Sequence, residues 1–122
     1  MPDPTGVARS PSPQERKYRR FKLRYPVHLL FRAGNLVSEV DAMSRDVSIG
    51  GLLLECPMLI PQHTAVNFVI SLGSRRLRPV ELMGEGRVVR VERRQAQADF
   101  AIAIECKNPI SQIEAYLPAE AS

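Results

Sequence analysis

Residues 65–73 read AVNFVISLG, and this stretch decides the fold class. Apolar residues occupy every second position: Val66, Phe68, Ile70 and Leu72. A period of two is that of a β-strand with one buried face, and the glycine at the end is a turn signal. The stretch therefore predicts a half-buried strand that ends at Gly73.

Five other segments are also rich in apolar residues and are separated by glycine, proline or asparagine. They are residues 25–32, 37–48, 52–56, 80–94 and 100–104. Short strands divided by turn signals are typical of an all-β barrel or sandwich. The sequence thus predicts an all-β domain of six strands, a barrel or a sandwich, over about residues 25–106.

Two of these segments do not alternate cleanly. The pattern of residues 37–48 is imperfect, and that of residues 80–94 changes parity at Val88-Val89. An extra residue in one strand of an antiparallel pair has this effect, because it shifts all later side chains to the opposite face. Both segments are therefore predicted to contain a β-bulge.

The two ends of the chain differ from its middle. Residues 1–15 contain four prolines and no apolar run, so we expect a disordered tail before a folded domain over residues 16–122. Near the other end, Asn108-Pro109 is typical of a helix start, and Ile110, Ile113 and Leu117 recur at helical spacing. This pattern predicts a short C-terminal α-helix over about residues 109–117.

Length and charge indicate one domain with an anionic partner. The chain has 122 residues and a formal net charge of +4, and six of its 17 basic residues lie between Arg16 and Arg24. Clustered arginine favours an anion, since the guanidinium fork bonds phosphate bidentately. The sequence has no run near the ~20 apolar residues of a membrane helix and no apolar run in residues 1–12. We therefore expect a cytoplasmic protein without membrane insertion.

The residue types used in catalysis are scarce and scattered. Cys56 and Cys106 each end an apolar run without CxxC spacing, which favours buried reduced thiols over a disulfide or a zinc site. His28 and His63 have no cysteine or carboxylate at metal-ligand spacing. No P-loop, nucleophile elbow or HExxH motif occurs. The sequence therefore predicts no catalytic residues, no metal, no cofactor and no enzyme activity.

A basic motif precedes the first strand and reads RRFKLR at residues 19–24. Arg20 and Arg24 share one face whether the segment is extended or helical. Two guanidinium groups on one side can bind phosphate oxygens or the O6/N7 edge of guanine. Taken alone, such a run is more often solvated surface.

A second motif, DVSIGG, occupies residues 46–51. In a strand, Asp46 and Ser48 project to the same side, where a carboxylate suits the N1–H and N2–H2 donors of guanine and a hydroxyl can bond a phosphate or a turn amide. Gly51, after Gly50, leaves room for a close approach. The alternative is an ordinary serine or aspartate turn that ends a strand.

Together the two motifs resemble the signature of the PilZ family, RxxxR followed by [D/N]xSxxG. Arg20 and Arg24 match the first part, and Asp46, Ser48 and Gly51 match the second. The resemblance implies a six-stranded antiparallel barrel that binds cyclic di-GMP on its outside under the arginine segment. Gly50 is a further candidate contact.

Two further positions bear on the ligand in this resemblance. Some family members carry an aromatic residue near Val89 or Arg90 that contacts a base, so Arg90 is a candidate to stack there instead. An arginine directly before RxxxR, here Arg19, goes with two stacked ligand molecules rather than one. The resemblance thus implies two cyclic di-GMP molecules per chain.

The expected function is a cyclic di-GMP receptor whose arginine segment changes conformation and which signals to an unidentified downstream protein. One alternative is a small basic barrel that binds nucleic acid, supported by a pI near 9.5. Against DNA or RNA, the chain has seven aromatic residues, four Phe and three Tyr, and several fall in predicted core positions. The other alternative is a PilZ adaptor that binds no ligand.

Overall fold

The computed structural model describes residues 19–75, 78–94 and 99–116. Its strands are β1 (Pro26–Ala33), β2 (Leu36–Val47), β3 (Gly51–Cys56), β4 (Ala65–Arg75), β5 (Arg78–Arg94) and β6 (Asp99–Cys106). They form a closed antiparallel barrel in the order β1-β2-β3-β6-β5-β4. The prediction of an all-β, six-stranded antiparallel barrel is confirmed.

The core fills the barrel interior with the alternate residues of each strand. In β4, the side chains of Val66, Phe68 and Ile70 are 3%, 1% and 0% exposed, whereas Asn67 is exposed. The barrel closes where β4 pairs with β1, and there Phe68 lies opposite Leu29, which is also fully buried. The clean period of two in residues 65–73 therefore corresponds to a strand with one face in the core.

Both predicted bulges are present. In β2 the pairing with β3 shifts between Ser44 and Asp46, so Arg45 is the extra residue. In β5 the pairing with β6 shifts between Val88 and Arg90, so Val89 is the extra residue. Each bulge reverses the parity of the residues that follow it. Asp46 and Arg90 therefore point away from the core, although each lies an even number of residues after a buried side chain.

The start of β3 lies close against β6. A Cβ atom at Gly51 would be 2.6 Å from the carbonyl oxygen of Ile104. Since no real Cβ contact is that short, any other residue at position 51 would push the two strands apart. The glycine that ends the second sequence motif is thus required by strand packing.

The C-terminal segment forms a 3-10 helix, Ser111–Tyr116, where an α-helix was expected over residues 109–117. The amide of Ile110 donates to the barrel, at 2.8 Å from the carbonyl oxygen of Ile49, and the amide of Ile113 donates three residues back to Ile110. Both isoleucines are buried, at 6% and 0% exposure. A spacing of three places their side chains above one another in a 3-10 turn, so packing on the barrel favours the tighter helix.

Parts of three expectations lie outside the described residues. These are the disordered tail at residues 1–15, the first residues of the domain at 16–18 and the end of the helix at Leu117. Within the described ranges, no helix has the length and apolar character needed to span a bilayer.

Candidate functional site

A shallow depression on the barrel surface collects most of the predicted site residues. It is lined by Arg20, Asp46, Ser48, Gly50, Gly51 and Arg90, together with Leu53 and residues 103–105 of β6. These residues come from the basic segment, β2, the following turn, β3, β5 and β6. The depression encloses only about 30 Å³, so a molecule of nucleotide size would lie on this surface rather than inside the protein.

The floor of the depression is a row of residues in register across four strands. Asp46 of β2 pairs with Leu53 of β3, Leu53 pairs with Ala103 of β6, and Ala103 pairs with Arg90 of β5. With about 4.8 Å between neighbouring strands, the carboxylate residue and the arginine are roughly 14 Å apart along the sheet. Leucine and alanine between them leave an apolar floor with a charged group at each end.

Asp46 stands at one end of this row. Its side chain is half-buried, and no hydrogen bond or ion pair with another described residue engages its carboxylate. An ionised carboxylate is an acceptor only. The position suits a ligand that presents two neighbouring N–H donors.

Ser48 is occupied by its own turn. Its hydroxyl oxygen accepts hydrogen bonds from the amides of Gly50 and Gly51, at 3.2 and 3.0 Å, and donates to the carbonyl oxygen of Gly51 at 3.2 Å. The residue is 5% exposed. The Ser48 hydroxyl therefore shapes the turn, as a serine does in an ordinary turn that ends a strand.

The rest of the turn is bonded to the C-terminal part of the chain. The carbonyl oxygen of Gly50 accepts from the amide of Cys106 at 2.9 Å, and that of Ile49 accepts from the amide of Ile110 at 2.8 Å. The turn that lines the depression is thus held at its back by β6 and by the segment leading to the 3-10 helix.

The basic segment lies along the end of β2. Phe21 exchanges two backbone hydrogen bonds with Val47, both 2.9 Å. The hydroxyl of Ser44, fully buried, accepts from the amide of Tyr25 at 2.7 Å and donates to the carbonyl oxygen of Leu23. Sequence reasoning missed Ser44, because a serine in a predicted strand gives no signal of its own.

The two arginines of the RxxxR motif have different surroundings. Arg20 lines the depression. Arg24 instead donates two hydrogen bonds to Glu55, with Nη1–Oε2 and Nη2–Oε1 both 3.3 Å. The structure therefore does not bring both motif arginines onto the depression. Arg19 is exposed and does not line it either.

Glu55 is shared by three arginines. Besides Arg24, its Oε2 lies 2.9 Å from Nη1 of Arg94 and 3.7 Å from Nε of Arg45. The hydrogen bonds from Arg24, and next those from Arg94, hold the pKa of the Glu55 carboxyl below its usual value. Sequence reasoning missed Glu55, because the three arginines around it come from three separate segments.

A larger concavity of about 810 Å³ lies elsewhere on the surface, and it contains none of the predicted site residues. Its lining includes Phe31, Arg32, Arg87 and the ion pair between Lys107 and Glu85. Its charged lining is mixed, with three basic and two acidic side chains.

The two cysteines lie in the core of the barrel. Cys56 and Cys106 are buried free thiols, as expected, and burial raises the pKa of Cys106 to about 12. A thiol is a poor nucleophile when its pKa is raised in this way. Within the described ranges, no group of histidine, cysteine and carboxylate side chains could hold a metal ion.

Comparison with known proteins gives the family. The family model described as PilZ domain matches residues 14–117. The chain belongs to the PilZ family. PilZ domains are cyclic di-GMP-binding and adaptor domains rather than typical enzymes, and the resemblance drawn from the two motifs is confirmed.

A solved structure supports the fold of this PilZ domain. The structure of the Bacillus subtilis inhibitor of motility (MotI/DgrA) is similar, with a TM-score of 0.65 and 17% sequence identity. The match covers 85% of this chain and 48% of the other, so the chain spans about half of that protein's length. At this identity the likeness concerns the fold. No curated protein matches the chain in sequence.

The hydrogen bonds of Ser48 predict a role in stability. Ser48→Ala leaves the amides of Gly50 and Gly51 without their acceptor, so we expect the free energy of unfolding to fall by about 1–3 kcal/mol. Ser71→Ala is the control, because Ser71 is half-buried in β4 and outside the turn; its effect should stay within about 0.5 kcal/mol. Urea unfolding measures both. Equal effects would show that the Ser48 hydroxyl does not hold the turn.

Proposed function

We propose that this PilZ domain is a receptor for cyclic di-GMP that transmits ligand binding to a partner protein. The observation that carries the proposal is the convergence of Arg20, Asp46, Gly50, Gly51 and Arg90 on one surface depression. They come from separate parts of the sequence, and all five are candidates from the two motifs or from the family resemblance. The domain would act in the cytoplasm.

The ligand's two kinds of polar group match the two kinds of charged side chain among the candidate residues. Its phosphates carry two negative charges, and Arg20 and Arg24 offer planar guanidinium groups that bond phosphate oxygens bidentately. Its guanines present N1–H and N2–H2 as adjacent donors, which the Asp46 carboxylate accepts. Arg90, at the far end of the row, would stack its flat guanidinium on a base.

The turn at residues 48–51 contributes backbone rather than side chains. Gly50 and Gly51 have no side chains, so a ligand atom can approach their main chain closely. Ser48 supports this approach indirectly, because its hydroxyl holds the two glycine amides in place. Ser48 would thus serve the ligand through the turn.

Binding would be transmitted through the basic segment. That segment touches β2 by the Phe21–Val47 bridge and by Ser44, and its arginines would move onto the ligand phosphates. A change in the segment's path alters the surface offered to a partner, which supports a receptor and adaptor role. A pull-down with and without ligand would identify that partner.

Isothermal titration calorimetry with cyclic di-GMP tests the proposal. The nucleic-acid alternative is tested in parallel with single-stranded RNA at rising salt. Counterion release gives RNA a steep loss of affinity with salt. Tight RNA binding without cyclic di-GMP binding would favour a nucleic-acid barrel, and binding of neither would favour the ligand-free adaptor.

The motif arginines should carry much of the affinity. Arg20→Ala and Arg24→Ala should each lose about 1.5–3 kcal/mol of binding free energy, the range for hydrogen bonds to charged groups. Arg32→Ala is the matched control: it removes the same charge from the larger concavity and should leave the affinity unchanged. The assignment fails if Arg32→Ala weakens binding as much as the motif variants do.

Asp46 should select guanine. In Asp46→Ala, we expect the preference for cyclic di-GMP over cyclic di-AMP to narrow, because adenine lacks the N1–H and N2–H2 donors that a carboxylate accepts. Competition titrations of both nucleotides on both proteins measure this preference. An unchanged ratio of dissociation constants would mean that Asp46 does not read the base.

Arg19 should set the stoichiometry. Two stacked ligands bring four phosphate charges together, and a third arginine offsets their repulsion while its guanidinium stacks on an outer guanine. We therefore expect two cyclic di-GMP molecules per chain, and a shift towards one in Arg19→Leu. A calorimetric stoichiometry near one in the unmodified protein would contradict two-ligand binding while leaving the receptor assignment intact.

A further inference from the structure

The side chain of Arg24 is already engaged by a carboxylate of the same chain. Both terminal nitrogens of its guanidinium donate to the two oxygens of Glu55. This fork-to-fork geometry is the one that guanidinium uses for a phosphate. Glu55 therefore occupies, on Arg24, the place that a ligand phosphate would need.

The position of Glu55 is fixed by the sheet. It lies within β3 and pairs with Met43 of β2 on one side and with Ala101 of β6 on the other. Its side chain is 21% exposed and contacts Arg94 at 2.9 Å. The carboxylate is therefore held in place even when Arg24 is elsewhere.

The contact of Glu55 with Arg24 is longer than its contact with Arg94, and Arg24 is the most exposed of the three arginines. The two Arg24 distances are 3.3 Å, at the long end for charged hydrogen bonds, and the Arg24 side chain is 59% exposed. If Arg24 leaves, Arg94 and Arg45 still neutralise Glu55. Release of Arg24 therefore leaves no isolated carboxylate behind.

We propose that Glu55 is an affinity-setting residue, a tethered carboxylate that competes with the phosphate of cyclic di-GMP for Arg24. The inference rests on the proposed function and adds a residue outside the two sequence motifs. Free protein holds Arg24 on β3, and bound protein holds it on the ligand. The affinity for the ligand therefore depends on the free-energy difference between these two states of Arg24.

Glu55→Gln is the informative variant. Glutamine keeps the shape of the side chain and an acceptor for Arg94 but removes the charge that holds Arg24. Exposed ion pairs are weak, so we expect cyclic di-GMP to bind about twofold to fivefold more tightly at low salt. The gain should shrink as salt screens the pair.

Two further variants distinguish competition for Arg24 from a general effect of removing one negative charge. One is a charge-matched control and the other is a double variant. Glu81→Gln removes the same charge from an exposed position of β5, in the part paired with β4, and should leave the affinity unchanged. In an Arg24→Ala background, Glu55→Gln should no longer tighten binding. An equal gain with and without Arg24 would overturn the inference.

A measurement without ligand keeps this test separate from the proposed function. In the free protein, the amides of residues 19–25 should exchange hydrogen faster in Glu55→Gln than in the unmodified protein or in Glu81→Gln. If neither protein binds cyclic di-GMP, the proposed function fails, and hydrogen exchange alone decides whether Glu55 holds the segment. Unchanged exchange would overturn the role of Glu55.

Discussion

Two β-bulges, at Arg45 in β2 and at Val89 in β5, determine which side chains reach the surface of the site. Without the extra residue in each strand, Asp46 and Arg90 would continue the inward parity of the residues before them and would face the core. The bulges turn both side chains outward and place them in one row across four strands. A barrel whose strands paired without these two bulges would not present Asp46 and Arg90 on its surface.

The turn after β2 links the surface depression to the C-terminal part of the chain. Its serine holds the amides of Gly50 and Gly51, and its carbonyl groups accept hydrogen bonds from β6 and from the C-terminal segment. Gly51 permits the close contact between β3 and β6. The depression is therefore connected through this turn to β6 and to the segment that leads to the 3-10 helix.

Much of the fold and of the site could be predicted from the sequence because the decisive signals are local. The period of two in residues 65–73 gives a strand, and the parity change at Val88-Val89 gives a bulge. The helix type was wrong because it depends on how Ile110 and Ile113 pack against the barrel, which no local pattern specifies. Glu55 was missed for the same reason, since its arginine partners are brought together only by the closed sheet.

The most direct test of the account is a titration of cyclic di-GMP followed by amide chemical shifts in 15N-labelled protein. Binding at the depression should give the largest changes at Phe21, Gly50, Gly51 and residues 103–105. Amides that line the larger concavity, such as those of Asn67 and Lys107, should change little. Changes centred on that concavity, or none at saturating ligand, would contradict the proposed site.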